Sequence, residues 1–279
     1  MSHFVDLYTS AYRHFAKSVL EQVRREAFGE DIGQNSWLTV DEYLRFFKWL
    51  GLKPAEHVLE VGCGSGGPAL FMARTTGCRV TGIDINEHGI ANAKSLAQEQ
   101  GLEAQVYFHQ ADARQRLPFE DETFDAALCI DTINHLPDRL HLLRQWHRVL
   151  RPGGRALFTD PVIVTGLLSN EELLIRSSIG YYLFAPPGEN ERLITEAGFE
   201  LIRSEDITEN EAQIAKRRYE ARARHREALI QLEGQETFEA QQEFLAIAHK
   251  LSNERRLSRF VFVARKARQL AYHLKRKRE

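Results

Sequence analysis

The sequence predicts an α/β protein: a doubly wound, seven-stranded, mostly parallel sheet that carries an all-helical cap. Three observations carry this. From Lys53 onward, short apolar or β-branched runs (HVLEV, CRVTGID, AQVYFHQ, FDAALCI, GRALFTD) alternate with helical stretches or turn residues, the pattern of parallel strands joined by crossover helices. A glycine-rich loop follows the first run directly. A helix-forming stretch over 210–253, rich in Ala, Glu, Arg, Gln and Leu, separates two late strands and so reads as an insertion.

Each element has its local reason. Residues 5–27 mix apolar and charged residues at helical spacing, and the loop FGEDIGQNSW leads to a second helix with Thr39 as N-cap. Between the strands, helices are expected over 68–75, 87–100 and 136–150, the last stopped by Arg151-Pro152-Gly153-Gly154. After the fifth strand come a helical segment over 170–183, a Pro186-Pro187-Gly188 turn, a helix to Ala197 and a sixth strand, FELIRSEDI. Residues 210–253 then read as one long or two stacked helices with Gly234 as the obvious break, and RFVFVAR as a last strand beside the sixth.

Composition excludes several classes. A chain of 279 residues with 43% hydrophobic content can bury a full core, and a net charge of -2 leaves no polycationic field to gather nucleic acid or anionic lipid. No stretch approaches the roughly 20 apolar residues of a membrane span, and the N-terminus lacks the pattern of a leader, so the protein is expected to be soluble. Cys63, Cys78 and Cys129 are odd in number and widely spaced, giving neither a disulfide framework nor a zinc site; a reducing cytoplasm fits. No metal constellation is expected among His3, His14, His141 and His147.

The most informative stretch runs from His57 to Gly67. Gly62, Gly64 and Gly67 match G-x-G-x-x-G, in which absent side chains permit a tight turn and let a ligand lie against the backbone. Alone, that fits a plain strand-to-helix turn or a dinucleotide loop equally well. Asp84, at the end of the second strand, falls where a carboxylate meets a ribose diol. Glu60 helps to separate the readings: a carboxylate just before the loop repels a pyrophosphate but favours a cationic amino acid moiety, or else it bonds the loop backbone.

The order of motifs adds the decisive point: Glu60-Val61-Gly62-Cys63-Gly64, then Gly82-Ile83-Asp84, Ala111-Asp112-Ala113, Phe124-Asp125 and Leu150-Arg151-Pro152-Gly153-Gly154. Over about residues 55 to 162 this series resembles the class I S-adenosylmethionine-dependent methyltransferases, whose fold is Rossmann-like. The resemblance implies S-adenosyl-L-methionine as cofactor, S-adenosyl-L-homocysteine as its product and no metal. It implies a glycine loop under the methionine part, Asp84 on the ribose, Asp112 with Ala113 at the adenine, and contacts from the neighbouring Cys63, Ile85 and Ile130. The expected units are 1–52, N-terminal helices and cofactor lid; 53–162, the S-adenosylmethionine-binding core; 163–207, its continuation with substrate-side helices; 208–257, the helical cap; and 258–279, the last strand and a basic tail.

Methyl transfer from a sulfonium is an in-line displacement by an uncharged nucleophile, so positioning supplies much of the rate, with His the best-placed side chain to act as base. His135 follows the fourth strand at the carboxyl edge where open α/β sheets bind ligands, and Asp131, four residues earlier, would share a face with it on a helical turn and could orient it. This Asp-x-x-x-His element is similar to that of the phosphoethanolamine and the sarcosine/dimethylglycine methyltransferases, and in the former family the His is catalytic. The loop from Phe28 to Gln34 also resembles theirs, which implies cofactor contacts from Gln34 and Trp37. The phosphoethanolamine enzymes pair their His with a Tyr on an N-terminal helix; Tyr8 or Tyr12 is available here, with a spacing that does not choose between them. Tyr181, Tyr182 and Phe184 suit an acceptor pocket in which aromatic faces stabilise a cationic amine, or simply core packing.

The expected activity is therefore methyl transfer to nitrogen or oxygen, less so carbon, of a small-molecule metabolite, by a chain able to form a homodimer through its cap. The competing readings are an NAD-dependent oxidoreductase, a silent methyltransferase-like binding module, and an RNA-modifying enzyme. The last rests on the basic tail and on Lys216, Arg217, Arg218, Arg222 and Arg224, which read more simply as a solvated helix face, and nucleic acid is not an expected partner.

Overall fold

The computed structural model describes residues 11–268. Two helices come first, α1 (Ser18–Phe28) and α2 (Val40–Leu50). Thr39 starts α2 by accepting from the Glu42 amide at 3.3 Å, and Gly51 ends it at φ 59°. The alternating core follows: β1 (His57–Val61), α3 (Gly67–Thr76), β2 (Arg79–Asp84), α4 (Glu87–Glu99), β3 (Val106–Gln110), β4 (Phe124–Cys129), α5 (Arg139–Val149) and β5 (Leu150–Val164). Then come α6 (Asn170–Arg176), α7 (Glu189–Glu196), β6 (Phe199–Asp206), α8 (Thr208–Arg224), α9 (Arg226–Glu233), α10 (Gln235–Asn253) and β7 (Leu257–Lys266).

The seven strands form one sheet in the order β3-β2-β1-β4-β5-β7-β6, with β7 antiparallel to both neighbours and the rest parallel. Helices cover both faces. One core packs Phe46, Leu70, Ala93 and Val80 between α2, α3, α4 and the sheet, and the other packs Leu143, Trp146, Ile194 and Phe158 between α5, α7 and the sheet. A third cluster joins Phe28, Trp37, Ile214 and Phe244, so α8 and α10 sit with α1 and the lid loop at the carboxyl edge. Sheet order reverses beside β1 and β4, and the crevice between their carboxyl ends is where such sheets take ligands.

Four expectations need correction. The helix expected over 136–150 starts at Arg139, because Pro137 forces Leu136 into an extended conformation (φ -102°, ψ 123°) and Asp138 caps the helix through the His141 amide at 2.8 Å. Only a single 3-10 turn, Ile133–His135, precedes it. The helix expected over 170–183 ends at Arg176; beyond it the chain is drawn to the loop after β4, where the Leu183 amide bonds the Asn134 carbonyl at 2.8 Å. The stretch over 210–253 is three helices, broken at His225 as well as at Gly234. The basic run on α8 is not one solvated face: Arg222 is 3% exposed and paired with Glu233, whereas Lys216, Arg217 and Arg224 face solvent.

Candidate active site

The loop after β1 is made of backbone. Gly62, Gly64 and Gly66 have φ of 77°, 52° and 78°, a region that side chains disfavour. A Cβ on Gly62 would land inside the Thr132 side chain, and one on Gly64 would sit 2.8 Å from the Tyr12 hydroxyl. Asp84 accepts from the amides of Gly64 (2.9 Å) and Asn86 (2.8 Å), which fixes loop and carboxylate together. Burial raises the Asp84 pKa, against the pull of these amides.

Glu60 is 3% exposed, and its Oε2 has no partner among the described residues. Burial, reinforced by Asp84, pushes its carboxyl up to about 8. Cys63 is buried, and burial, with Asp84 and Glu60 nearby, raises its thiol further. Asp112 holds Arg114 through both oxygens at 2.8–3.0 Å, a pairing that lowers its pKa. Ala113 and Ile130 line the same cavity, as does the more exposed Ile85.

The loop after β4 is made of side chains. Asp131, at φ 50°, accepts from Arg259 Nε (2.7 Å) and Thr159 Oγ1 (2.6 Å) at one oxygen and from the Trp37 amide (2.9 Å) at the other. Arg259 in turn bonds Glu42 at 2.7 Å, with both side chains buried. Asp131 is therefore turned to β7 and the lid, not to His135, and the expected dyad on one helical face is not formed. His135 instead lies 2.7 Å from the Tyr181 carbonyl. A carbonyl can only accept, so Nδ1 carries the proton and Nε2 is the basic nitrogen, with the Asn134 amide nitrogen 3.2 Å away. Burial, with Arg176 adding to it, pulls the His135 pKa down to about 4.

The remaining expected residues divide. Trp37 is buried and stacks on Phe244 at 6.2 Å, while the Gln34 amide is committed to its own loop, accepting from the Ile32 amide (2.8 Å) and donating to the Glu30 carbonyl (3.1 Å). Tyr12 lies over the glycine loop beside Asp84 rather than beside His135, and burial with the nearby Asp84 raises its phenol pKa. Tyr8 lies outside the described residues. Tyr182 meets the His135 ring edge-on at 4.6 Å, but the Arg176 guanidinium sits 5.1 Å from its centroid, so that face already holds a cation. The half-exposed Tyr181 contributes its carbonyl. Sequence reasoning missed Arg259, Thr132 against Gly62, and the buried pair of Arg176 with Glu211 at 3.0 Å; nothing in their local pattern marks them, because these contacts reach across the chain.

A cavity of about 440 Å³ runs from Asp84 and Asp112 past Ile130 and His135 to the cap, lined also by Tyr12, Trp37, Glu60 and Asp131. The family model described as a methyltransferase domain matches residues 59–158, the stretch that holds both loops. The 27-O-demethylrifamycin SV methyltransferase of Amycolatopsis mediterranei is 32% identical over 196 residues, 66% of this chain and 72% of that protein. This chain belongs to the S-adenosylmethionine-dependent methyltransferases. Another member, phosphoethanolamine N-methyltransferase 3 of Arabidopsis thaliana, is 32% identical over 76% of this chain, but the chain spans only 42% of it. In fold, this methyltransferase is similar to a phosphoethanolamine N-methyltransferase 2 of Haemonchus contortus solved with S-adenosyl-L-methionine: TM-score 0.78, 22% identity, 94% of this chain and 60% of that one. Among the described residues no helix is long and apolar enough to cross a membrane, and no group of three or more His, Cys, Asp or Glu converges as for a metal ion.

Proposed function

We propose that this methyltransferase methylates an oxygen, or a nitrogen, of a small molecule, with oxygen favoured, and that His135 is the group that receives the acceptor's proton. The observation that carries the reading is the position of His135 on the wall of the cavity that also holds the glycine loop, Asp84 and Asp112.

The residues of the first half suit the cofactor. The glycine cradle excludes a Cβ, the orphaned buried Glu60 Oε2 suits an ammonium, Asp84 suits the ribose hydroxyls, and Asp112 with Ala113 suits the adenine end once Arg114 yields or shares its partner. Bound there, S-adenosylmethionine supplies an electrophilic methyl carbon on a sulfonium. Everything else falls to the chain. The lid residue Trp37 is fixed on both sides, by Asp131 at its amide and by Asn210 at its carbonyl (2.9 Å), and helps to keep water out. The Tyr181 carbonyl holds His135 in the tautomer whose Nε2 lone pair can take a proton, in exchange for the contact from the Asn134 amide nitrogen at 3.2 Å.

Oxygen is favoured for two reasons. A hydroxyl keeps a lone pair while still protonated and gives up its proton as the new bond forms, so a neutral His with a pKa of about 4 can receive it; an ammonium has no lone pair to offer. The aromatic face that would steady a cationic amine also carries Arg176.

Calorimetric titration with S-adenosylmethionine, S-adenosylhomocysteine and NAD tests the cofactor half: the adenosyl ligands bind at micromolar level and NAD does not. A panel of phenols, alcohols and amines, read by formation of S-adenosylhomocysteine, tests the rest. His135→Ala keeps cofactor affinity and loses about 100-fold or more in turnover, the scale of general base catalysis; unchanged turnover makes His135 structural.

A further inference from the structure

At the cap end, the cavity is walled by Val23, Phe244 and Leu245 and by polar side chains, among them Arg222, Glu233 and Gln241. An ion pair here is unexpected, since burying two charges is costly and an apolar pair would close the same wall more cheaply. Arg222 and Glu233 are nevertheless 3% and 4% exposed in their side chains, and paired through Arg222 Nη2. That bond ties α8 to α9 across the break at His225, and the guanidinium also lies 5.4 Å from the Phe238 ring centroid. Neither contact uses the Nε–H group, which is buried without a partner among the described residues. A buried donor left unpaired is destabilising and calls for an explanation.

We propose that the cap end of the cavity is a binding subsite for the tail of a neutral, mainly apolar acceptor, whose carbonyl or hydroxyl oxygen accepts from Arg222 Nε. The proposal rests on the methyl-transfer reading above and adds the class of acceptor. Charge balance sets that class. Glu233 already neutralises Arg222, so a carboxylate or phosphate tail would bring a second anion against Glu233, and a cationic tail would meet Arg222. Arg24, on the same wall, is likewise matched, by Asp31 at 3.0 Å, and Arg218 is engaged by the Asn35 side-chain oxygen at 3.3 Å and by the Trp37 ring 5.4 Å from its guanidinium. What remains is the Arg222 Nε donor, without a partner among the described residues, on a wall whose charged side chains are otherwise engaged, which suits an uncharged oxygen.

The test uses the full chain loaded with S-adenosylhomocysteine and three naphthalene probes measured by calorimetry: 2-naphthol, its 6-acetyl ketone and its 6-carboxylate. The ketone is expected to bind about tenfold more tightly than 2-naphthol, the scale of one hydrogen bond from a charged donor, and the carboxylate no more tightly than 2-naphthol. Arg222→Met removes the ketone's advantage, with its S-adenosylhomocysteine affinity serving as the check on folding. Glu233→Gln, which keeps the arginine and strips its counter-charge, reverses the order so that the carboxylate binds best. The proposal is overturned if ketone and 2-naphthol bind equally to the native chain, if the ketone's advantage survives in Arg222→Met, if the carboxylate is already the tightest ligand, or if none of the three binds the loaded protein. Failure to bind S-adenosylhomocysteine at all would instead overturn the methyl-transfer reading, and this proposal with it.

Discussion

Two loops at the same edge of the same sheet build the candidate site in opposite ways. The loop after β1 is backbone: three left-handed glycines and two amides gathered by Asp84, all within about two dozen residues of one another. The loop after β4 is side chain: Asp131 reaches Arg259, 128 residues on, and Trp37, 94 residues back, while His135 leans on Tyr181, 46 residues away. A loop of the first kind contributes geometry that a ligand exploits; one of the second kind couples the core, the lid and the last strand, so its residues bear stability as well as chemistry.

That contrast is broken most severely at Asp131. Asp131→Ala leaves the fully buried Arg259 with Glu42 alone and orphans the Trp37 amide, so a loss of roughly 3–5 kcal/mol is expected, read as a fall in the denaturant midpoint. Asp84→Ala, by comparison, should cost cofactor affinity with much less effect on folding, because its carboxylate faces the cavity. If the two variants lose equal stability, the distinction between the loops fails.

Gly62→Ala attacks the backbone loop by shape. It combines φ 77° with a Cβ inside the Thr132 side chain, and about 1–3 kcal/mol of strain is expected, together with a cofactor affinity that falls at least as far. Thr132→Ala should restore part of both, a rescue that a purely conformational effect would not show.

The same contrast explains what could be read from the chain. The glycines, the strand that precedes them and the Asp at the end of β2 form local, periodic patterns, so the sheet and the first loop are legible in the sequence. Asp131 and His135 were picked out by position, but the helix that would have paired them needs 136–138 to be helical, and Pro137 and the capping Asp138 forbid that. Arg259 carries no local signal: it is an arginine in an ordinary strand until partners 128 and 217 residues away bury it, whereas Arg222 is hidden by a helix break that turns Glu233, 11 residues on, back against it.

A subtler probe of the first loop is the proton on Glu60. Its folded pKa of about 8 is above the ordinary carboxyl value, so it is largely protonated at neutral pH in the ligand-free protein. Its contribution to stability is complete below the ordinary value and fades as pH rises through about 8. An ammonium placed beside it favours the ionised form, so binding of S-adenosylhomocysteine near pH 7 should release close to one proton and tighten as pH approaches 8. Calorimetry in two buffers of different ionisation enthalpy measures that release, and Glu60→Gln should abolish it. Equal heats in both buffers for the native chain would place the ammonium elsewhere.

The smallest effect is expected where the sequence suggested a large one. Tyr181 is aromatic, half-exposed and on the cavity wall, yet what it gives His135 is a main-chain carbonyl. Tyr181→Phe keeps that carbonyl, so stability should stay within about 0.5 kcal/mol and turnover should hardly change. The His135 tautomer should persist too, visible in its ring nitrogen NMR shifts. A tenfold fall in turnover with the tautomer intact would mean that the phenol itself touches the acceptor, and the second loop would then read its substrate with a side chain that the sequence alone had already marked.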